Sequence, residues 1–136
     1  QAIDPPKLLS GAQGGDLRVP VAGLGDGHLH RFGVAVGNTT VRFFVMKSGS
    51  KLVPSFDACE VCGAYGYVET KGRLVCLACA ADINTASLGT GGGCNPIPLR
   101  YREEAGTLVI AMKDLEAQAG AFQRAQSSKA VPPAVP

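Results

Sequence analysis

The chain contains no tryptophan and only two histidines, His28 and His30. With so few imidazoles, neither a Ser-His-Asp nor a Cys-His arrangement can be argued for catalysis. Nothing signals a substrate pocket or an acid–base pair either. The expectation is therefore a protein that is not an enzyme, with metal-centred oxidoreductase activity left open. No apolar run approaches the ~18–20 residues that cross a bilayer as a helix. The longest, "VRFFVM", reads as a strand. No charge of one sign dominates: 13 basic and 11 acidic residues are interspersed, for a net charge of +2. That pattern argues against nucleic acid and against acidic surfaces as partners. A starting methionine and a signal peptide are missing too. The chain begins at Gln1, as a processed exported protein does and as a trimmed chain does.

What is present is a globular composition, 46% hydrophobic and 18% charged, on a length of 136 residues that suits one domain. Glycine (18) and proline (9) point to many turns and few long helices. Residues 1–16 are Pro/Gly-rich and read as an extended arm. "LRVPVAGL" reads as a strand that Pro20 confines to a sheet edge. "HLHRFGVAV" and "TTVRFFVMK" read as strands joined by a two-residue "GN" turn, and "KLVPSF" returns after "SGS". "YGYVE-TKG-RLVC" is a hairpin signal with Gly72 in its turn. "CLACAADIN" allows one or two helical turns, and "SLGTGGGCNPIP" reads as irregular. "LRYREEAGTLVIAM" is a further hairpin with "EAG" at its tip. "KDLEAQAGAFQRAQ" is the one good helix candidate, with Leu115, Ala119 and Phe122 on one face. "SSKAVPPAVP" reads as a low-complexity tail. The predicted fold is mainly β. It is a small sandwich- or barrel-like domain of hairpins over 17–112, with Cys-x2-Cys knuckles, one short helix over 113–124, and terminal arms at 1–16 and 125–136.

All five cysteines lie between Asp57 and Pro96. Cys59 and Cys62 form one C-x2-C, Cys76 and Cys79 a second, and thirteen residues separate the pairs. Two such turns at hairpin ends can build a four-thiolate cage for zinc, a single iron or, with other geometry, an iron–sulfur cluster. The competing reading is disulfides, which staple small exported domains. The odd count and the tiny loops that bridges within each pair would close argue against it. Cys94 stands alone after three glycines, which let the backbone approach something closely. It reads as a ligand of the same site or of a second metal, with a packed or free thiol as the alternative. His28 and His30 are spaced so that, in a strand, both would face one side and could complete a mixed site. The alternative is two polar residues beside a "GDG" turn. Asp57 and Glu60 flank the first cysteine and read as solvated loop acids, with tuning of the site as the other possibility. Met46 and Met112 read as core.

In their order, "LHRF", "VRFFVMK", "DACEVCGAYGYV", "VCLACA" and "GGGCNPIPL" resemble the membrane iron–sulfur-containing FtrD-like family, over roughly residues 28–99. By motif position, Cys59, Cys62, Cys76, Cys79 and Cys94 fall on the family's cysteines and His30 on its "LHRF" segment. The resemblance implies an extracytoplasmic domain, periplasmic or extracellular, of a bacterial protein. It also implies a link to ferrous-iron uptake and electron movement beside an iron permease and copper-type periplasmic proteins. Members are often fused to transmembrane helices, which this sequence lacks.

Three functions follow as expectations. One is a redox carrier with an iron–sulfur, iron or copper centre, working with a redox partner or a metal transport protein. Another is copper or zinc binding without redox chemistry. The third is a self-assembling subunit, a homo-oligomer or filament whose arms add strands to neighbours.

Overall fold

A computed structural model describes residues 4–11 and 15–130, with side chains through Arg124. The chain is mainly β, with eleven strands in three sheets, two α-helices and a 3-10 turn at Thr85–Ser87 among these residues. The strands are β1 (Lys7–Leu9), β2 (Asp16–Pro20), β3 (His30–Val36), β4 (Thr39–Ser48), β5 (Lys51–Cys59), β6 (Tyr67–Thr70), β7 (Arg73–Cys76), β8 (Asp82–Ile83), β9 (Pro96–Pro98), β10 (Arg102–Glu104) and β11 (Thr107–Ala111). Helices α1 (Met112–Glu116) and α2 (Ala119–Ala130) follow.

The central sheet has the order β1-β3-β4-β5-β9. Its middle strand, β4, is the "TTVRFFVMK" segment, and β-branched and aromatic residues give it apolar side chains on both faces. Period-2 alternation sends Val41, Phe43 and Val45 into one core and Phe44 and Met46 into another. The first core is closed by Leu17 and Val19 of β2, Leu108 and Ile110 of β11, and Leu115 and Phe122 of the helices. The second is closed by Tyr67, Leu74 and Ile83 of the β6-β7-β8 sheet, together with Cys59 and Cys76. The central sheet therefore lies between the β10-β11-β2 sheet with its helices on one side and the cysteine-bearing hairpin layer on the other. Met46 and Met112 are buried in these cores.

Turn chemistry sets the hairpins. Lys71 and Gly72 join β6 to β7 with φ of 51° and 76°, and Ala105 and Gly106 join β10 to β11 with 49° and 80°. Paired positive φ values give the turn whose twist matches that of the flanking strands. Pro20 ends β2 at the edge of its sheet, where a missing N–H leaves no ladder bond unmade.

Several expectations are revised. "CLACAADIN" forms turns and then β8 rather than a helix. Ala80 takes a left-handed φ of 61° and the Cys76 amide bonds the Ala81 carbonyl at 3.0 Å, which turns the chain back onto β7. Residues 96–98 of the glycine-rich stretch form β9, paired to β5 at Ser55 and Cys59. The single helix is two, broken at 117–118, and α2 runs on to Ala130, into the segment read as tail. Part of the N-terminal arm folds back as β1, in parallel on β3. Gly33 makes room for it, since a Cβ there would meet Leu8 Cδ2 at 3.2 Å and Pro6 Cβ at 3.3 Å. The outer ends of both arms, 1–3 and 131–136, lie outside the described residues, as does 12–14.

Candidate metal centre

Both C-x2-C segments fold into the same turn. Cys59 ends β5, and its carbonyl accepts from the Gly63 amide at 2.9 Å. Cys76 ends β7, and its carbonyl accepts from the Ala80 amide at 2.8 Å. In each turn the residue four beyond the first cysteine is left-handed, with φ of 82° at Gly63 and 61° at Ala80. The turn aims backbone donors at sulfur. The Cys62 amide lies 3.1 Å from Cys59 Sγ, and the amides of Cys79 and Ala78 pull the Cys76 thiol down against the burial that raises it.

The third contribution comes from the loop before β9. Gly91, Gly92 and Gly93 all have positive φ (74°, 84° and 55°). A Cβ at Gly92 or Gly93 would meet nothing within 4 Å, so backbone conformation rather than close approach calls for glycine there. Only at Gly91 is space short, with Pro98 Cδ 3.0 Å from the added atom. Tyr67 fixes this loop, since its hydroxyl donates to the Cys94 carbonyl at 2.5 Å.

The result is four sulfurs, of Cys59, Cys62, Cys76 and Cys94, all within 4.8 Å of one another. Cys79, the sequence partner of Cys76, is outside that group but touches it, its Sγ 2.8 Å from Cys94 Sγ. Cys59 and Cys76 are buried, Cys62 and Cys94 half-buried, and Cys79 exposed; none is bridged. Crowding sets their protonation. Hydrogen bonding to Cys59 and then burial push the Cys62 thiol up, and burial chiefly raises Cys76. The contact with Cys94 and the Ala81 amide bring Cys79 down to about 7, while the same contact and burial raise Cys94 to about 11.

A buried ionic clamp stands behind the first knuckle. Asp57 is fully buried, so the sequence reading of a solvated acid is corrected; Glu60 is exposed as expected. Asp57 Oδ2 accepts from Arg31 Nε at 3.0 Å and from Arg42 Nε at 2.9 Å, and Oδ1 accepts from the Tyr67 amide at 2.8 Å. The guanidiniums reach on to the knuckle backbone. Arg42 donates to the Ala64 carbonyl at 2.6 Å and Arg31 to the Tyr67 carbonyl. The Arg42 guanidinium also lies 5.2 Å over the Phe122 ring. Two cations against one carboxylate leave one positive charge beside the sulfur layer. Arg31, Arg42 and Tyr67 were not singled out from the sequence. The available signal was an arginine beside the apolar run of each of two strands.

Both histidines contact carboxylates. β3 begins at His30, and His28 lies just before the strand. His30 Nε2 contacts Asp26 Oδ1 at 2.8 Å, and His28 Nδ1 contacts Glu69 Oε2 at 2.7 Å. The Glu69 bond raises His28 above its ordinary value. Among the described residues, neither imidazole belongs to the four-sulfur group.

The family of membrane iron–sulfur-containing FtrD-like proteins matches residues 24–122. The chain belongs to the FtrD-like family. No curated protein and no solved structure matches it. Among the described residues of this FtrD-like chain, no helix is long and apolar enough to cross a membrane. The family description implies an iron–sulfur centre, and the donors fit a thiophilic metal. Thiolates select iron, copper(I) and zinc. At a metal–sulfur distance of ~2.3 Å, tetrahedral thiolates stand about 3.8 Å apart, inside the 4.8 Å that bounds the four sulfurs. A cluster with bridging sulfides sets its outer thiolates further apart than a single ion does.

Proposed function

We propose that this chain is an extracytoplasmic metal-binding protein of the FtrD-like family that carries single electrons at a thiolate centre. The observation that carries the reading is the convergence of Cys59, Cys62, Cys76 and Cys94 within 4.8 Å, on two amide-lined knuckles and one loop. These four residues would hold the metal. An iron or copper ion bound there supplies one-electron chemistry. The protein's own part is to keep that centre rigid, dry on one side and charge-compensated. Tyr67, Phe44 and Leu74 exclude water from the inner side. Amide donors to Cys59 and Cys76 favour the thiolate form. The Arg31–Asp57–Arg42 clamp holds the first knuckle and leaves a buried positive charge that favours a more negative, reduced centre. Exposed Val61, Tyr65 and Cys79 form the rim from which a redox partner would reach it.

A second reading is favoured by the fifth sulfur. Cys79, 2.8 Å from Cys94, adds a thiolate beyond a tetrahedral set and suits two or more copper(I) ions sharing sulfurs. Elemental analysis and a visible spectrum on anaerobically purified protein separate the two. One iron per chain, or iron with matching sulfide, together with reversible bleaching, supports the carrier. Two or more coppers support the shared-sulfur centre. A single zinc without colour refutes the electron-carrier reading.

A further inference from the structure

The sequence pairs Cys79 with Cys76, but the fold pairs it with Cys94. Cys76 is buried at the end of β7, while Cys79 Sγ lies 2.8 Å from Cys94 Sγ. A disulfide bond is ~2.05 Å long, so closing this contact needs a displacement under about 1 Å. The two sulfurs also differ in access. Cys79 alone of the five is exposed, whereas Cys94 lies half-buried beneath it. Attack on a disulfide needs one reachable thiol and a second in contact to complete the exchange. Cys59 and Cys76 lack the access, and the half-buried Cys62 is less open than Cys79.

We propose that Cys79 and Cys94 form a thiol–disulfide exchange pair that reacts with small disulfides, and that its oxidation withdraws Cys94 from the four-sulfur group. In the first step Cys79 Sγ, as thiolate, attacks one sulfur of the external disulfide. A mixed disulfide on Cys79 forms and one external thiolate leaves. In the second step Cys94 Sγ attacks Cys79 Sγ, the internal bond forms, and the second external thiolate leaves with the Cys94 proton. Two protein thiols are oxidised and one disulfide is reduced to two thiols. The exchange pair rests on the sulfur contact alone. The withdrawal of Cys94 rests on the metal-centre reading above.

The test uses the full chain, purified and kept reduced under argon, with oxidised glutathione as the probe. Free thiols are alkylated, peptides are mapped by mass, and metal content is measured in the same samples. The expected product is a Cys79–Cys94 bridge with Cys59, Cys62 and Cys76 still alkylated, together with loss of metal. Cys94→Ser should stop at a glutathione adduct on Cys79. Cys79→Ser should consume the probe slower by on the order of tenfold, because the reachable thiol is gone. A bridge from Cys76 to Cys79 or from Cys59 to Cys62 overturns the pair. So does a parent that does not react, or a Cys79→Ser that reacts as fast as the parent. A Cys79–Cys94 bridge formed with metal retained keeps the pair and overturns the withdrawal. No bridge with metal present overturns the pair and leaves the four-sulfur centre standing.

Discussion

Replacing Asp57 by alanine removes the single carboxylate that answers two buried guanidiniums. The side chain is 0% exposed and its partners Arg31 and Arg42 only 3% and 9%. Removing one member of a buried ionic group costs roughly 3–5 kcal/mol, because the remaining charge stays buried without its counter-ion. The bonds themselves give a similar figure. Two guanidinium hydrogen bonds to the carboxylate contribute about 1.5–3 kcal/mol each. For a domain of this length the loss lowers the melting temperature by on the order of 10–15 °C. The assay is urea unfolding followed by circular dichroism, with Arg73→Ala as the control. Arg73 contacts Asp82 at the same 3.0 Å, but both side chains are 58% exposed. An exposed pair contributes ~0–1 kcal/mol. Asp57→Ala should also loosen the first knuckle, since the Tyr67 amide loses its acceptor, so metal should dissociate faster. If Asp57→Ala costs no more than Arg73→Ala, burial is not what makes this group matter and the argument fails.

Other substitutions probe separate features. Ala80→Gly should stabilise the protein by about 0.5–1 kcal/mol, since a left-handed φ strains alanine and not glycine; a lower urea midpoint would refute it. Tyr67→Phe removes the donor to the Cys94 carbonyl and should cost ~1 kcal/mol and speed metal release; chelator-competition rates equal to the parent's would sink that role. Cys76→Ser should lose metal and destabilise the fold, because the buried Cys76 belongs to the second core as well as to the sulfur group, whereas Cys94→Ser, on a half-buried loop, should lose part of its metal with the circular dichroism spectrum largely kept. His28, raised by its bond to Glu69, gains from that pairing below its ordinary value of 6.5 and loses the gain as pH rises through the raised value. NMR titration of Glu69→Gln should bring His28 back toward 6.5, and an unmoved midpoint would rule out the pairing.

The parts of the fold that local chemistry dictates were legible. Gly37 with Asn38, Lys71 with Gly72, and Ala105 with Gly106 mark hairpins because their dihedral demands are met within two residues. β4 was legible because β-branched and aromatic residues fill it. What failed depended on distant partners. β9 is three residues that begin and end on proline, and it becomes a strand only by pairing with Ser55 and Cys59. "CLACA" has helical composition, but the knuckle and the return to β7 override it. Asp57 looks like a loop acid until Arg31 and Arg42, 26 and 15 residues earlier, are folded onto it. The convergence of cysteines was written in the spacing. Which sulfur stands fourth was not, because C-x2-C periodicity favours Cys79 and only the loop fixed by Tyr67 brings in Cys94.

β4 has no idle side. Its odd-numbered residues from Val41 to Val45 fill one core, and Phe44 and Met46 line the layer that holds the sulfurs. Most proteins can vary the outward face of a strand freely while keeping the inward one. Here a mutation along β4 has no harmless register, because consecutive positions answer alternately to the body of the fold and to the metal layer. A methyl group added at Val45 presses on the helices' side, and one added next door at Phe44 presses on Tyr67 and through it on the Cys94 loop. The strand thus ties the shape of the centre to the stability of the whole domain, and such a site is adjusted more readily at its rim than from within.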